Sequence, residues 1–440
     1  MSTVFGYSVA APGHLFSFIA VLLELQRRGH AVRLLVPATP DLPGMIAGIP
    51  IDHLVWERRE EWKSGGMPAG DAASVERAWR WMVDGEPAAE ILEQRLLRMR
   101  PDFLLVDPGM WGGIVAAEAS GVAWGALATG PMMFRGAGLD VRGPGLPPPR
   151  GAGDHRVHQL VWSRLREANA EHLAVANAVR LARRLPPLDS LDDLYRIPPL
   201  TIATTAEPFE YPRPDWPSSL RFVGPLDWEL PAAPTVPFQR RSDLPLVLLA
   251  GSSIAGGGAG RCWLETAFDA LAAQRLEVVA TLPRDGIPAA PPPNVSIHPF
   301  LPHSQILPQV SCVVCHGGPG ITQKALMAGV PVVAVPFSHD RYEVARRVEV
   351  ARAGVMVPGE ELTAARLRGA IRRAIARKRG AERIAAAFRH AGGAGAAAKA
   401  IEDACGRAAG AGRSRRTAAG GAVSSDEVRD PGALGSRAGS

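Results

Sequence analysis

The stretch His316-Gly317-Gly318-Pro319-Gly320-Ile321-Thr322 sets a histidine and three glycines between two unlike segments. Before it, Cys312-Val313-Val314-Cys315 predicts a buried strand; after it, Gln323-Lys324-Ala325-Leu326-Met327-Ala328 predicts a helix. A helix start presents unpaired N–H groups and the positive end of the helix dipole. Glycines let an anion approach that backbone closely. The chemistry this spacing suits is a cradle for a diphosphate, with His316 and Thr322 as added side-chain donors. Three other readings compete for the same residues. Cys312-Val313-Val314-Cys315-His316 fits the haem-attachment and redox patterns, yet the two cysteines of a strand so spaced point to opposite faces. An oxyanion loop for a serine hydrolase would need a G-x-S-x-G elbow downstream. The nearest match, Gly251-Ser252-Ser253-Ile254-Ala255, lies upstream and ends in alanine. The last is a glycine-rich turn that holds no ligand.

The elements that must position this loop come in βα alternation. Residues 4–9 predict a strand, Pro12-Gly13-His14 a turn, 15–28 an amphipathic helix ended by Gly29, and 31–36 a second strand. Helix 87–99, strand 103–107, helix 111–120 and strand 123–129 follow, then a Gly/Pro-rich loop at 136–153, helices across 157–184 and a strand at 198–205. From Phe222 to Pro245 the chain is rich in proline and predicts a semi-rigid linker. A second series then runs through strand 246–250, loop 251–260, helix 262–274 and strands 276–282 and 295–298 to the opening loop. The expected fold class is therefore α/β: two doubly wound, Rossmann-like domains facing across a cleft. The expected domains are 1–222, a linker at 223–245, a domain at 246–390 and a C-terminal segment at 391–440. That segment is Ala/Gly/Ser/Arg-rich, and residues 406–440 are expected to be disordered. Ligands of such sheets sit at the carboxyl ends of strands. His14, Asp107, Gly251-Ser252-Ser253 and His316 all follow strands and should meet in one cleft.

The chain has 440 residues, enough for two cores. Of its 49 basic residues only four are lysines, so the net +6 reads as coding bias rather than as a nucleic-acid surface. Nine basic and three acidic residues fall within 360–390, the pattern of a solvated helix face. Four cysteines give no disulfide framework. Residues 1–26 lack Lys and Arg, and the apolar run at 15–23 is too short to span a bilayer, so a cytoplasmic location is expected.

Residues 3–390 resemble the inverting, nucleotide-sugar-dependent glycosyltransferases of the GT-B fold, the UDP-glycosyltransferase superfamily. The bacterial macrolide-type branch, which decorates natural products, is the nearest group. The resemblance is carried by Phe300-Leu301-Pro302-His303, Ile306-Leu307, the His316–Gly320 loop, Gly329-Val330-Pro331, Pro336, Asp340 and Ala345-Arg346-Arg347-Val348. Pro12-Gly13-His14, Arg28-Gly29-His30-Ala31-Val32 and Phe222-Val223-Gly224-Pro225 extend it. It implies that His14 is the general base toward an acceptor hydroxyl and Asp107 its partner. Imidazole can take such a proton near neutral pH. It further implies that His316 and the Gly318, Gly320, Ile321 and Thr322 backbone hold the diphosphate. Ser252 or Ser253 adds a hydroxyl, Phe300, Leu301 and His303 flank the base, and Asp340 binds sugar hydroxyls. Fixed donors can neutralise a leaving diphosphate without a metal, so no metal and no cofactor are expected.

Two positions depart from the family pattern. Lys324 stands where many members have a ribose-binding Glu, and Arg341 where many have Gln. Lys cannot accept hydrogen bonds; it would reach the diphosphate or face solvent. Eight of ten tryptophans precede the linker. With Met132-Met133-Phe134 they suggest an apolar acceptor pocket, for which Trp79, Trp111, Met132, Met133 and Phe134 are the candidates. The expected activity is transfer of a hexose from UDP-glucose or a dTDP-deoxysugar to a hydroxyl of a lipophilic natural product such as a polyketide or macrolide. The expected partners are those two small molecules, with no nucleic acid and no membrane, in a monomer or homodimer. A nucleotide-sugar epimerase of the same fold, or a non-catalytic auxiliary protein, are the alternatives.

Overall fold

The computed structural model describes the chain outside residues 39–41, 57–84, 133, 138, 140–142, 230–237, 252–257, 273, 283–290, 338 and 421–440, and outside the side chains of 258–262, 339, 409 and 411–420. The first half opens with β1 (Thr3–Tyr7), α1 (Pro12–Arg27), β2 (Ala31–Pro37) and a short antiparallel pair, β3 (Met45–Ile46) and β4 (Ile49–Leu54). Helix α2 (Gly85–Met99), β5 (Phe103–Val106), α3 (Trp111–Ser120) and β6 (Trp124–Ala128) follow. Then come α4 (Ala152–Ala168), α5 (Ala170–Ala182), β7 (Thr201–Ala203) and β8 (Leu220–Phe222). The second half runs β9 (Leu246–Ala250), α6 (Gly258–Leu271), β10 (Glu277–Thr281), β11 (Val295–His298), α7 (His303–Ile306), β12 (Val310–Cys315), α8 (Pro319–Met327) and β13 (Val332–Ala334). It closes with α9 (His339–Val350), β14 (Gly354–Met356), α10 (Ala364–Ile375), α11 (Lys378–His390) and α12 (Gly393–Gly420).

These strands form two sheets. Eight strands take the order β3-β4-β2-β1-β5-β6-β7-β8 and six take β11-β10-β9-β12-β13-β14. All pairs except β3 with β4 are parallel. Central strands such as β5 and β9 are buried along their whole length, as a parallel sheet covered on both faces requires. Val4, Leu34 and Phe103 pack with α1 on one face of the first sheet; Phe5, Tyr7 and Leu104 pack with α2 and α3 on the other. In β12 the same alternation sends Cys312 to one core and Cys315 to the opposite one. Both thiols are fully buried and cannot pair, which removes the haem and redox readings.

The C-terminal segment departs from expectation. Helix α12 crosses back to the first half and buries Ala397, Ala398 and Ile401 against the α1 side of the first sheet. Arg28 Nη1 reaches Glu402 Oε2 at 3.0 Å and Arg28 Nη2 donates to the Gly395 carbonyl at 3.0 Å. The crossing starts where Gly393 N–H donates to the Val223 carbonyl at 2.7 Å, so both passages between domains run side by side. The helix continues to Gly420, and the rest of the segment expected to be disordered, residues 421–440, lies outside the described residues. Alanine favours helix enough to extend it beyond its packed part. Among the described residues no helix is long and apolar enough to cross a membrane.

Ile401→Ala should cost about 2–5 kcal/mol of stability, the range for truncating a fully buried aliphatic side chain. Deleting residues 411–440 should change the denaturant midpoint little, because α12 is already exposed at residues 406–408. Equilibrium denaturation of both variants checks the pair.

Candidate active site

Each sheet reverses its strand order once, between β1 and β5 in the first and between β9 and β12 in the second. The crevice at such a reversal is the ligand position of an open parallel sheet. His14 and Asp107 follow β1 and β5, and Gly251 and His316 follow β9 and β12.

His14 lies in the first turn of α1, where Pro12 at the helix start forfeits no hydrogen bond. Gly6 of β1 seats that helix closely, since a Cβ there would lie 3.0 Å from Phe18 Cδ1. His14 Nδ1 stands 2.7 Å from Asp107 Oδ2 and 3.2 Å from Thr129 Oγ1. Asp107 Oδ1 accepts the Gly109 N–H at 2.9 Å. A carboxylate only accepts, so Nδ1 carries the ring proton in the neutral imidazole and Nε2 keeps its lone pair. The imidazole is 42% exposed and the carboxylate 2%. The pair thus has one buried end and one open end. Burial pulls the His14 pKa down, but the charge of Asp107 and the hydrogen bond to it, helped by Asp340, push it further up. The net lies above the ordinary value of 6.5.

The second crevice holds the glycine loop. Gly317 has φ +80°, a conformation that favours glycine, and Gly318 precedes α8. Pro319 is the first helical residue and has no N–H, so helix geometry leaves the Gly320 and Ile321 N–H groups without intrahelical acceptors. Among the described residues nothing stands within 4 Å of where a Gly320 Cβ would be, which leaves that backbone open to approach. The His316 ring lies over Gly318, where a Cβ would collide with Nε2. Burial, then Arg341, hold the His316 pKa down at about 4 against the opposing pull of Asp340, so the ring is neutral. His316 Nδ1 is buried without a hydrogen-bond partner among the described residues.

The two crevices face each other. A Cβ on Gly130, next to Thr129, would lie 3.9 Å from Pro319 Cγ at the start of α8. The charge of Asp340 acts on both His14 and His316.

Several expected positions are corrected. The Thr322 side chain is fully buried, its Oγ1 3.6 Å from Cys315 Sγ, so only its backbone borders the loop. Leu301 packs in the second core, whereas Phe300 is half exposed. His303 Nε2 contacts Thr281 Oγ1 at 3.0 Å, and burial holds the ring neutral, with its pKa down at about 4. Lys324 neither faces solvent nor reaches the loop. Its Nζ lies 2.8 Å from Glu229 Oε1 and 3.2 Å from the Trp228 carbonyl, because the chain after β8 returns along α8. Trp111, Met132 and Phe134 are core residues rather than pocket walls, each nearly inaccessible to solvent. Trp111 fills the space that Gly85 leaves and Phe134 stacks edge-on against Trp216. Asp340 is exposed and Arg341 partly buried at the start of α9. Trp79, Met133, Ser252 and Ser253 lie outside the described residues.

Sequence reasoning missed Thr129, Glu229 and Trp228. Thr129 ends a predicted strand and was open to discovery by the same rule that found Asp107. Glu229 carried no signal. It accepts Ser304 Oγ at 2.7 Å as well as Lys324, and Trp228 stacks on Phe16 of α1 with centroids 4.9 Å apart. The linker thereby touches the helices of both crevices. Burial alone would raise the Glu229 pKa; Lys324 and Ser304 reverse this and set it below the usual carboxylate value. A double-mutant cycle of Lys324→Met with Glu229→Gln should give a coupling of about 1 kcal/mol, since the pair is mostly shielded from water. A coupling near zero in denaturation experiments would show that the contact is incidental.

Comparison with known proteins places this geometry. The model of the erythromycin biosynthesis protein CIII-like C-terminal domain matches residues 265–386. The chain is 30% identical over 380 residues to 4'-demethylrebeccamycin synthase of Lentzea aerocolonigenes, covering 82% of this chain and 88% of that one. It is 31% identical over 296 residues to the TDP-daunosamine transferase DnrS of Streptomyces peucetius, covering 63% and 61%. The crystal structure of the glycotransferase of kitacinnamycin shares the fold, with a TM-score of 0.71 at 21% identity over 92% of this chain and 98% of that one. Agreement along four fifths of the sequence, over two sheets whose switch points meet, means that the chain belongs to the macrolide-type GT-B glycosyltransferases of natural-product biosynthesis.

Proposed function

We propose that the enzyme moves a hexose from a nucleoside diphosphate to a hydroxyl of a lipophilic natural product, with inversion and without a metal. The observation that carries the reading is the His14–Asp107 pair opposite the α8 start. His14 Nε2 takes the acceptor proton as the oxygen attacks the anomeric carbon. Asp107 holds the tautomer and opposes the positive charge that the ring acquires. The diphosphate leaves in the same displacement, its negative charge received by the Gly320 and Ile321 N–H groups, the helix dipole and His316. A single displacement inverts the anomeric centre. Residues 315–324 contain no carboxylate to hold a divalent ion beside the phosphates. A thymidine diphosphate sugar is the favoured donor, because the Streptomyces peucetius relative is named for TDP-daunosamine. We place no resident cofactor in the reaction and a cytoplasmic site of action.

His14→Ala should lose about 10²–10⁴-fold in turnover while nucleotide affinity stays near normal. Wild-type turnover in that variant would refute the base assignment. The product from an α-linked donor should be the β-anomer by NMR coupling, and retention would exclude single displacement. His316→Ala should cost about 10²–10³-fold in rate, and EDTA should leave the wild type active. Activity abolished by EDTA and restored by magnesium or manganese would overturn the metal-free reading.

The pH profile gives an independent check. The base must be neutral, and its pKa lies above 6.5, so kcat/KM should rise with pH through a limb above that value. Asp107→Asn removes the two larger contributions that raise the pKa and leaves burial and the smaller one from Asp340, so the limb should move to lower pH and the plateau should fall. A limb unchanged in Asp107→Asn would assign the ionisation to another group. For stability the sign is opposite: the raised pKa contributes stability below 6.5 that is lost as pH rises through the folded-state value.

A further inference from the structure

Arg347 lies in α9 with no solvent exposure, between Glu210 of the first half and Glu343 of its own helix, themselves buried. Its Nε and Nη2 donate to Glu210 Oε1 at 2.9 and 2.6 Å. Its Nη1 donates to Glu343 Oε2 at 2.6 Å and to the Glu343 carbonyl at 3.2 Å. The Tyr211 ring closes one face of the guanidinium at 4.4 Å. The remaining carboxylate oxygens reach into the segment that leaves β6. Glu210 Oε2 accepts the Met132 N–H at 3.0 Å, and Glu343 Oε1 accepts those of Gly143 and Gly145 at 2.7 and 3.1 Å. Arg346 Nε donates to the Gly145 carbonyl at 2.8 Å. Gly145 has φ +66°, and a Cβ there would lie 2.6 Å from the Tyr342 carbonyl, so this loop is pressed onto α9.

A buried triad of one cation and two carboxylates is a poor source of stability. Apolar residues of the same volume often serve as well or better, because desolvation offsets the attraction. Such a network does fix geometry: the planar guanidinium meets its partners at set angles. Here both ends of that geometry lie within three residues of groups at the active site. Thr129, 3.2 Å from His14 Nδ1, stands three residues before Met132. Asp340 and Arg341, whose charges act on His316, stand one turn or less before Glu343. The network joins the segment after Thr129 to the helix that starts beside Asp340 and Arg341.

We propose that Arg347, with Glu210 and Glu343, is a positioning residue. It pins α9 to the segment leaving β6 and so fixes how far His14 stands from the sugar carbon it serves. The inference rests on His14 being the base, and its test separates the two. Misplacing reacting groups by about 1 Å can cost about 10²-fold in rate. Arg347→Lys keeps the charge without the fork; Glu343→Gln keeps the acceptor for Gly143 and Gly145 without the charge. Each should lower kcat for transfer by about 10–10²-fold. The dissociation constants for dTDP and UDP, read by calorimetry, should stay within about threefold of the wild type. The fraction of diphosphate released to water rather than to acceptor should rise, because the donor stays bound while the acceptor is out of line. Arg346→Ala, which releases Gly145 and the partly exposed pair with Glu349 but leaves the buried triad intact, should shift the same fraction by less, and it carries the test if Arg347→Lys fails to fold. Wild-type kcat in all variants below their melting midpoints would overturn the proposal, as would loss of nucleotide affinity in step with kcat. If His14→Ala itself transfers normally, the underlying reading fails instead.

Discussion

Asp107 is a carboxylate with 2% exposure, and a buried carboxylate is tolerable only when its lone pairs are used. Most of the first half supplies that condition. The Gly109 N–H takes one oxygen, and His14 takes the other. For His14 to arrive there, α1 must begin at the end of β1, and it must sit low enough on the strand for Gly6 and Phe18 to touch. The apolar spacing Leu15, Phe18, Ile19, Leu22 and Leu25 turns that helix so that its buried face meets the sheet and His14 remains at the rim. A structural demand of the carboxylate thus fixes the tautomer of the imidazole and leaves a lone pair on Nε2, the one that the proposed mechanism uses.

The other crevice has the complementary problem. Under the proposed function it must hold the negative charge of a donor without relying on a cluster of positive side chains. Burial leaves His316 neutral, and the N–H groups at the start of α8 carry only partial charge. Among the described residues Arg341 is the one full positive charge that acts on His316, and exposed Asp340 opposes it. Under the proposed function, such a loop takes a diphosphate without the desolvation cost of a buried lysine cluster. The same Asp340 helps to raise the His14 pKa, so one carboxylate conditions both ends of the reaction.

Much of this was legible in the sequence because it is local. Strand, glycine loop and helix follow one another at His316, and the βα rhythm places His14 and Asp107 at strand ends. Helix 111–120 and strands 246–250 and 295–298 were read with the bounds observed. What escaped depends on contacts far apart in the chain. Trp111, Met132 and Phe134 looked like pocket lining because composition cannot tell a buried ring from an exposed one. Thr322 looked like a donor because its neighbours are. The docking of α12 was not legible because its apolar face is built from Ala397, Ala398 and Ile401. That face becomes hydrophobic only when α1 supplies the other side. The short β3, β4 and β8 carry too few residues, and in β4 a proline and an aspartate, to show a period.

Position 324 shows how a departure from a family pattern can be misread when one residue is considered alone. A lysine in place of a glutamate reverses the charge on the second turn of α8, and from the sequence its options were phosphate or water. The structure supplies a third, because Glu229 arrives from the linker and sits 2.8 Å from the ammonium. A carboxylate is therefore still present beside that turn, carried by a different segment and oriented by the lysine and by Ser304. The exchange has a mechanical consequence that a helix-borne glutamate would not have. Glu229 follows Trp228, and Trp228 is stacked on Phe16, two residues from His14. Carrying the carboxylate on the linker joins the donor helix, the inter-domain passage and the base-bearing helix in one run of contacts. At that position the local electrostatics and the relative placement of the two domains are a single property of the chain.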